Sequence, residues 1–362
     1  MLDRRLFRHI DWTLIFLTCM MLCISLLLIS SASFQSNENY YNKQIFWIAG
    51  GAILFFIGLI FPYRWMIEHS SILYLFSLIG LTTVLLIGSR ISGSKSWIKF
   101  GGFSLQPSEF AKIAVLLVLA AYFGKREKKD LTFLNFLIGA SITLVPVFLI
   151  LLQPDLGTAL TFGALFLFII YGAGYSFKFI FTFIVTAISV LPVGYLFLKP
   201  YQQARLIAFL NPESDSLGTG YQVIQSKIAI GSGGLTGKGF LQGSQTHLNF
   251  IPAKHTDFIL SILGEEWGFI GILILLLIYC FFILKALHNA KEAKDKFGSL
   301  LILGALSLII FQAIINIGMV VGSMPITGLP LPLVSYGGSS LFISLFSVAL
   351  ILNVTMRRFY YL

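Results

Sequence analysis

Residues 12–32 read WTLIFLTCMMLCISLLLISSA and include no charged side chain. A helix of this length crosses a lipid bilayer, because about 20 apolar residues span a hydrocarbon core that is roughly 30 Å thick. Similar apolar runs recur along most of the chain. Of its 362 residues, 57% are hydrophobic and only 11% are charged, a balance that water-soluble domains do not have. The sequence therefore predicts a membrane protein.

Ten apolar runs predict a polytopic, all-α membrane protein with about ten transmembrane helices. They lie at 12–32, 44–61, 70–88, 108–124, 132–152, 156–174, 177–197, 257–285, 299–322 and 338–356. Little sequence is left for a globular domain, so we interpret residues 1–362 as one integral membrane domain. The first span follows MLDRRLFRHIDW without a small-residue cleavage signal, and we expect it to stay as a membrane helix.

The distribution of basic residues predicts the orientation. Fifteen lie in short segments on one side: Arg4, Arg5, Arg8, Arg64, Lys125, Arg126, Lys128, Lys129, Lys178, Lys285, Lys291, Lys294, Lys296, Arg357 and Arg358. Only four lie in short loops on the other side: Lys43, Arg90, Lys95 and Lys99. By the positive-inside rule, both termini are cytoplasmic and the protein lies in the cytoplasmic (inner) membrane. The net charge of +10 then reflects topology, and we predict no nucleic-acid partner.

The single long loop, about residues 199–256, lies on the outer side in this orientation. It is rich in glycine and moderately apolar, which predicts short helices on the membrane surface. A loop of this length in a compact protein is usually functional. Its run GSGGLTGKG at 231–239 resembles a nucleotide-binding phosphate loop, but Ser232 and Gly239 break the required pattern.

Cysteine and histidine residues give no sign of a metal site. Cys19, Cys23 and Cys280 all lie inside apolar spans, where neither a disulfide framework nor metal-ligand spacing is present. His247 and His255 have no neighbouring pattern that resembles a zinc site. We therefore predict no protein-bound metal centre.

Five carboxylates lie at the rim of a span or inside one, and they are Glu109, Asp155, Asp257, Glu265 and Glu266. Such residues are costly in a membrane and are candidates for a functional site. Helix capping explains Asp155 equally well. Thr256 could cap the eighth span and so free the carboxylate of Asp257. Glu265 lies eight residues beyond Asp257, close to the same helical face, whereas Glu266 is turned by about 100°. Either could tune the field around Asp257 or contact a neighbouring span, and we expect the structural role for both.

Two further groups of charged residues accompany these carboxylates. Glu109 and Lys112 follow Pro107 and are three residues apart, so we expect them to pair on one helical face, either as a buried ion pair that fixes the helix or as part of a site. Three basic residues of the long loop are candidates to bind the diphosphate of an anionic lipid. They are Arg205, Lys238 and Lys254.

Five segments, in order along the chain, carry a family resemblance. They are GSKSWIKFGGFSLQPSEFAK (93–112), QPDLGTAL (153–160), GYQVIQSKIAIGSGGLTGKGFLQGSQ (220–245), HTDFILSILGEEWGFIG (255–271) and NIGMVVGSMPITGLPLPLVSYGGSS (316–340). Together they resemble the SEDS family of bacterial shape, elongation, division and sporulation proteins. The segments around 244–257 and 264–269 are most similar to the elongation branch, with the division and sporulation branches next.

The resemblance implies a peptidoglycan glycosyltransferase that polymerises lipid II with a class B penicillin-binding protein, a transpeptidase, and the elongation machinery as partners. Asp257 matches the essential acidic residue of the family's H-T-D-F motif. Glu109 and Lys112 match its Q-P-S-E-x-x-K motif. The chain departs from the family pattern at Lys95 and Ser96, where arginines are usual, and at Ala253, where glutamate is common.

The candidate residues are able to carry out such a glycosyl transfer. A carboxylate such as Asp257 can take the proton of a sugar hydroxyl that attacks the lipid-linked sugar, while undecaprenyl diphosphate leaves. Basic side chains or a divalent cation, Mg²⁺ or Mn²⁺, would stabilise the diphosphate. The alternatives are a lipid II flippase, a scaffold that only recruits the penicillin-binding protein, and a polymerase of the division branch. The candidate charges favour an enzyme because they lie at the outer rim, and no pair of broken spans marks a transport site.

Overall fold

The computed structural model describes residues 9–34, 39–91, 94–100, 103–196, 200–212, 218–248 and 250–358. Most of these residues are helical. The helices are α1 (Trp12–Ser33), α2 (Tyr40–Ile60), α3 (Tyr63–Glu68), α4 (Ser70–Ile87), α5 (Pro107–Gly124), α6 (Phe133–Leu152), α7 (Leu156–Ala173), α8 (Phe177–Tyr195), α9 (Pro200–Leu210), α10 (Thr219–Gly233), α11 (Ser244–His247), α12 (Ile259–Lys291), α13 (Lys296–Val320) and α14 (Gly338–Met356).

The predicted spans are present as helices. In the described ranges, nine helices are long and apolar enough to cross a membrane, namely α1, α2, α4, α5, α6, α7, α12, α13 and α14. The predicted span at 177–197 corresponds to α8, whose apolar part is Phe177–Ser189. The structure thus confirms the prediction of a polytopic all-α membrane protein.

Three helices form the centre of the bundle. Burial reaches 83% in the most apolar part of α14, 72% in α5 and 67% in α13, against 22% in α2 and in α4. Gly304 of α13 allows its neighbours to approach closely, because a Cβ atom there would lie 2.1 Å from Leu116 of α5 and 2.9 Å from Ile169 of α7. Small residues at such crossings are typical of helices that pack in a membrane.

A small antiparallel sheet between α4 and α5 was not predicted. Its strands, in the order β1-β2-β3, are β1 (Ser89–Ile91), β2 (Ser94–Phe100) and β3 (Phe103–Leu105). Ser89 pairs with Trp97 and Ile98 pairs with Leu105. The strands are short and include charged residues, so the sequence of this region predicts a loop.

Lys95 of this sheet has a structural role. Its Nζ atom donates hydrogen bonds to the carbonyl oxygens of Leu85 (2.7 Å) and Leu86 (3.0 Å), near the end of α4. Its backbone N–H donates to the carbonyl of Gln153 at 3.2 Å. The lysine therefore satisfies carbonyls that the helix end leaves open and ties the sheet to the loop before α7.

The long outer loop contains the short helices expected from its sequence, which are α9, α10 and α11. Helix α10 packs on α12, and α9 packs on α10. Their position on the membrane surface stays a prediction. The packing on α12 places the loop beside the start of the eighth span, where Asp257 lies.

Asn353 joins two helices at the opposite end of the bundle. Its side chain is fully buried. Its Nδ2 atom donates to the carbonyls of Gly58 (2.6 Å), Leu59 (3.2 Å) and Phe61 (2.7 Å), while its Oδ1 atom accepts from the N–H of Tyr63 at 3.1 Å. One side chain thus satisfies backbone groups at the end of α2 and the start of α3, where water is excluded.

We expect Asn353→Ala to lower the free energy of unfolding by about 2 kcal/mol, because it leaves buried backbone groups without partners. Thermal unfolding of the purified protein in detergent measures the effect as a lower Tm. Asn42→Ala, at an exposed position, is the control and should leave Tm unchanged. An equal Tm for Asn353→Ala and the wild type would contradict the capping role.

Candidate active site

The segment that carries Asp257 precedes α12 rather than belonging to it. The helix begins at Ile259, and its N-cap residue, Phe258, makes no side-chain capping bond. The expected cap by Thr256 was wrong, because its Oγ1 atom donates instead to the carbonyl of Ala253 at 3.2 Å. Asp257 and Glu265 therefore do not share one helical face, since the regular helix starts after Asp257.

Ala253 organises this segment through its backbone. Its carbonyl accepts from the N–H groups of Thr256 (3.1 Å), Asp257 (3.2 Å) and Phe258 (3.4 Å). Ala253 itself has a φ angle of 51°, in the left-handed region that few non-glycine residues adopt. The result is a tight turn, which presents Asp257 at the N-terminal end of α12.

The loop between α13 and α14, residues 321–337, forms a cradle around Asp257. Asn316 Nδ2 donates to the carbonyls of Asp257 (2.9 Å) and Leu329 (2.8 Å). Ser335 Oγ donates to the carbonyl of Thr256 at 2.6 Å. Gly328 lies beside the acid, since a Cβ atom there would be 3.9 Å from Asp257 Oδ2. These contacts join the two segments at the site.

The environment of Asp257 changes its acidity. Burial raises the pKa of its carboxyl group to about 6, although the charge of Arg205 and a hydrogen bond from Thr256 oppose the shift. Desolvation disfavours the charged carboxylate, whereas a nearby cation favours it. A carboxyl group with a pKa near 6 is suited to accept a proton at neutral pH.

Arg205 of α9 is the cation that acts on Asp257. Its Nη1 atom donates to the carbonyl of Ile326, in the 321–337 loop, at 3.4 Å. The side chain is half-buried. The structure therefore brings together two residues selected from the sequence, the candidate base and one candidate cation.

Aromatic rings close one side of the same region. The ring of His255 stacks on Tyr40, with centroids 4.1 Å apart, and lies edge-on to Tyr336 at 5.6 Å. The N–H of Tyr336 also donates to the carbonyl of His255 at 2.9 Å. The start of α2 is thus packed against the turn that carries Asp257.

Glu109 and Lys112 form the buried ion pair expected from their spacing. Lys112 Nζ lies 2.7 Å from Glu109 Oε1, and their side chains are 0% and 4% exposed, respectively. Within the described part of the chain, Glu109 Oε2 and Ser108 Oγ have no hydrogen-bond partner. The pair neutralises two buried charges and leaves one carboxylate oxygen able to accept a further bond.

Asp155 caps α7. Helix capping was one of the two explanations that the sequence allowed for this residue. Its Oδ1 atom accepts from the N–H of Thr158 at 3.1 Å, at the start of α7. Its Oδ2 atom accepts from Gln106 Nε2 at 3.0 Å, and the Gln106 N–H donates to Ser339 Oγ at 3.1 Å. This network connects the starts of α5, α7 and α14.

Glu265 has the structural role expected for it. Its carboxylate accepts from Lys238 Nζ (2.9 Å), from the N–H groups of Gln245 (2.8 Å) and Thr246 (3.0 Å), and from Thr246 Oγ1 (2.8 Å). The side chain is fully buried. These bonds hold the loop before α12 against the helix, so Glu265 organises the loop rather than reacting.

Helix α12 is interrupted at Gly268, a break that the sequence analysis did not predict. Gly268 has a φ of 64° and a ψ of −161°. The glycine-rich loop supplies partners for the backbone groups that the break leaves open. Four hydrogen bonds form this seam: Lys238 N–H to Glu265 O (3.0 Å), Gly239 N–H to Glu266 O (3.0 Å), Phe269 N–H to Gly234 O (2.9 Å) and Ile270 N–H to Leu235 O (3.1 Å).

The seam explains the glycines that resemble a phosphate loop. A Cβ atom at Gly268 would lie 2.3 Å from the nitrogen of Gly237, and one at Gly237 would lie 2.1 Å from the carbonyl oxygen of Glu266. Only glycine permits this approach, and the positive φ at both positions favours it further. The run GSGGLTGKG therefore binds the protein's own backbone.

Lys254 and Glu266 lie in a second buried cluster. Lys254 is 6% exposed, and its Nζ atom donates to the carbonyl of Thr246 at 2.6 Å. Burial lowers the pKa of Lys254, against the attraction of Glu266. Ser31 of α1 donates to the carboxylate of Glu266, and His247 Nε2 lies 3.9 Å from it. This cluster connects α1 to the outer loop.

The predicted residues thus fall into four groups. Asp257 and Arg205 share the cradle, and Glu109 and Lys112 pair at the start of α5. Lys238 joins the loop cluster around Glu265, and Lys254 lies in the cluster with Glu266. The binding of diphosphate by Lys238 and Lys254 stays a prediction. In the part of the chain that is described, no group of three or more His, Cys, Asp or Glu side chains is arranged to hold a metal ion.

Sequence reasoning did not single out Asn316, Gly328 or Ser335. All three lie in residues 316–340, one of the five segments on which the family resemblance rests. None of them was considered individually there. A polar residue inside an apolar span is a recognised signal, and it would have drawn attention to Asn316. No local pattern reveals that Ser335 contacts Thr256.

Comparison with known proteins agrees with the geometry. Residues 10–360 match the profile of the FtsW/RodA/SpoVE family, described as "Cell cycle protein". The chain is 38% identical over 351 residues to the peptidoglycan glycosyltransferase MrdB of Escherichia coli K12, which covers 97% of this chain and 94% of that protein. It is 34% identical over 424 residues to the peptidoglycan glycosyltransferase RodA of Treponema pallidum, at 96% and 98% coverage.

Two solved structures are similar over nearly the whole chain. One, described as "Structural coordination of polymerization and crosslinking by a peptidoglycan synthase complex", has a TM-score of 0.84 at 34% identity and covers 97% of this chain and 98% of its own. The other is the rod shape determining protein RodA of Thermus thermophilus, with a TM-score of 0.74 at 28% identity and coverage of 97% and 98%. The resemblance found from the five sequence segments is confirmed.

Proposed function

Since the chain belongs to the FtsW/RodA/SpoVE family and is a peptidoglycan glycosyltransferase, we propose that it polymerises lipid II with Asp257 as general base. The observation that carries this proposal is the carboxyl group of Asp257, held at the outer end of α12 with a pKa of about 6. At neutral pH this group is mostly ionised and able to take a proton.

The proposed reaction joins two lipid-linked disaccharides. Asp257 takes the proton of the acceptor's sugar 4-hydroxyl as that oxygen forms a bond to the anomeric carbon of the donor. The bond between this carbon and the donor's diphosphate breaks, and undecaprenyl diphosphate leaves. No second carboxylic acid is needed, in contrast to glycoside hydrolysis, because diphosphate leaves without being protonated.

Arg205 is the best supported contact for the diphosphate. It lies close enough to Asp257 to lower the pKa of that carboxyl group and is half-buried at the same outer end. A guanidinium group binds phosphate oxygens in pairs and keeps its charge at all relevant pH values. Lys238 is engaged with Glu265 at 2.9 Å, and Lys254 is buried, so their support is weaker.

We keep a divalent cation, Mg²⁺ or Mn²⁺, in the proposal as part of the substrate. The described carboxylates do not cluster in the way that a protein-bound metal centre needs. A cation that arrives on the diphosphate oxygens requires no such cluster. It would share with Arg205 the stabilisation of the leaving group.

A groove that faces the membrane suits the lipid chain of the substrate. It has a volume of about 550 Å³ and is lined almost wholly by apolar side chains of α2, α3, α4, α5 and α14, including Trp65, Phe76, Phe110 and Phe346. Pro107, at the start of the helix that carries Glu109, also lines it. The groove therefore offers an apolar surface beside the start of α5, the helix that carries Glu109 and Lys112.

The proposal extends to the location and the partner. The bias of basic residues supports cytoplasmic termini, with Asp257 at the outer face of the cytoplasmic membrane. One similar structure comes from a peptidoglycan synthase complex of polymerisation and crosslinking, which supports a class B penicillin-binding protein as partner. Similarity to MrdB and RodA favours a role in cell elongation over division.

Purified protein in detergent, incubated with lipid II, tests the substrate directly. We expect glycan chains that are resolved on a gel, with and without the transpeptidase partner, and assays with Mg²⁺, Mn²⁺ or a chelator test the cation. A flippase would instead move labelled lipid II across vesicle membranes without forming polymer. A scaffold would do neither, so an absence of polymer under all conditions would refute the proposal.

The rate of polymerisation is expected to rise with pH through about 6, because the base acts when its carboxyl group is ionised. Arg205 favours the ionised form, so Arg205→Gln should raise the pKa of Asp257 and move the acid limb of the rate profile to higher pH. Initial rates between pH 5 and 8 measure both effects. Lys227→Gln, which changes another basic residue of the same loop, is the control and should leave the limb in place.

A further inference from the structure

Asn316 joins the catalytic segment to the loop that faces it. The side chain is fully buried. Its Nδ2 atom lies 2.9 Å from the carbonyl oxygen of Asp257 and 2.8 Å from that of Leu329. Both amide hydrogens are therefore used, one on each segment. The Oδ1 atom has no hydrogen-bond partner in the described ranges. The contact therefore depends on the two hydrogen bonds that Nδ2 donates.

Ser335 holds the same segment one residue earlier. Its Oγ atom donates to the carbonyl of Thr256 at 2.6 Å and accepts from the N–H of Leu331 at 2.9 Å. Like the amide of Asn316, this hydroxyl bridges the turn before α12 and the 321–337 loop. The carbonyls of Thr256 and Asp257 are thus each held by a side chain from outside their own segment.

These bonds matter because the turn has little internal support. The N–H groups of Thr256, Asp257 and Phe258 all donate to one acceptor, the carbonyl of Ala253, and no side chain caps the following helix. The opposite wall of the cradle depends on the same bonds, since Gly328 next to Leu329 faces Asp257 Oδ2. The backbone bond from the N–H of Tyr336 to the carbonyl of His255 also joins the two segments. In the described part of the chain, however, only Asn316 holds the carbonyls of Asp257 and Leu329 together, so its loss would loosen Asp257 relative to Gly328.

We infer that Asn316 is a positioning residue for polymerisation, and that Ser335 assists it, by fixing the carboxyl group of Asp257 relative to the 321–337 loop. The inference rests on the proposed role of Asp257 as base. A base must lie within hydrogen-bond reach of the proton that it takes. A displacement of about 1 Å at a reacting group can cost roughly 100-fold in rate.

Asn316→Ala and Ser335→Ala test this role, with Asn353→Ala as the matched control. Asn353 is also a buried asparagine that donates to backbone carbonyls, but it lies at the other end of the bundle. Lipid II polymerisation is measured per folded molecule, after size-exclusion chromatography in detergent, to give kcat, KM and the pH profile.

We expect kcat to fall about 10- to 100-fold in Asn316→Ala, with KM for lipid II within about threefold of the wild type because no substrate contact is removed. The acid limb should move to lower pH, since a loosened turn lets water reach Asp257 and its pKa returns toward the ordinary value. Asn353→Ala should lower Tm while kcat per folded molecule and the acid limb stay unchanged.

Unchanged kcat and an unchanged acid limb in folded Asn316→Ala would overturn the inference. If that variant does not fold, Ser335→Ala, which removes a single hydroxyl, decides the question by the same two measurements. Asp257→Asn is assayed in parallel to separate the two hypotheses. Activity in Asp257→Asn refutes the proposed base itself, whereas an inactive Asp257→Asn beside unaffected Asn316 and Ser335 variants refutes only the positioning role.

Discussion

Asp257→Asn is expected to reduce the rate of lipid II polymerisation by about 10³-fold, within the range that a general base contributes. Asparagine has nearly the same shape, so the backbone contacts of residue 257 with Ala253 and Asn316 should persist. The amide cannot accept the proton of the sugar hydroxyl. The measurement is the yield of glycan chains from equal amounts of folded protein.

Asp155→Asn is the matched control for this prediction. It makes the same change at another carboxylate of the outer face, where the side chain accepts from the N–H of Thr158. Asparagine caps helices about as well as aspartate, and a flip of the Gln106 amide lets its oxygen accept from the asparagine NH₂ group where Asp155 now accepts from Gln106 Nε2. Polymerisation should therefore stay within a few-fold of the wild type. Wild-type rates in Asp257→Asn would mean that the base has been assigned wrongly.

Lys112→Leu is expected to lower the free energy of unfolding by about 3–5 kcal/mol, because it leaves the buried carboxylate of Glu109 without its cation. The side chain of Lys112 is completely buried, and its Nζ atom lies 2.7 Å from Glu109 Oε1. Chemical or thermal unfolding in detergent measures the loss. Lys129→Leu removes an exposed ion-pair partner instead, with a side chain that is 76% exposed, and should change stability little.

The double variant Glu109→Gln with Lys112→Leu separates the two interpretations of this pair. Removal of both charges ends the need for a counter-charge, so most of the lost stability should return. If the pair is part of the site, polymerisation should stay low in this variant, because both of its charges have been removed. Recovery of both stability and activity would show that the pair only fixes the helix.

The approximate positions of the spans followed from the sequence, because a bilayer requires long apolar runs and few charges interrupt them. Ten spans were predicted, whereas nine helices in the described ranges are long and apolar enough to cross a membrane. The ion pair of Glu109 and Lys112 followed from helical spacing. The break at Gly268 did not, because glycine is frequent in membrane helices and the surrounding run stays apolar. The sequence reasoning also treated Thr256 as a cap, since it ignored the turn that Ala253 makes.

The candidate residues of the site could be selected from the sequence, whereas the contacts that hold them in place could not. Asp257 was one of five carboxylates at the rim of a span or inside one, and its match to the H-T-D-F motif of the family singled it out. The contacts of Asn316 and Ser335 with its segment join residues 59 and 79 positions apart in the chain. Such contacts depend on how the helices pack, which neither periodicity nor composition encodes locally.

The seam between the glycine-rich loop and the broken helix has a consequence for how the protein is made. Gly234 and Leu235 leave the ribosome well before Phe269 and Ile270, to which their carbonyls bond. Until α12 has been synthesised, the carbonyls of Gly234 and Leu235 lack these hydrogen-bond partners, and the loop stays unpaired with the helix. The seam therefore forms only after α12 has been synthesised, and the cradle around Asp257 forms later still, because Asn316 and Ser335 follow α12 in the chain.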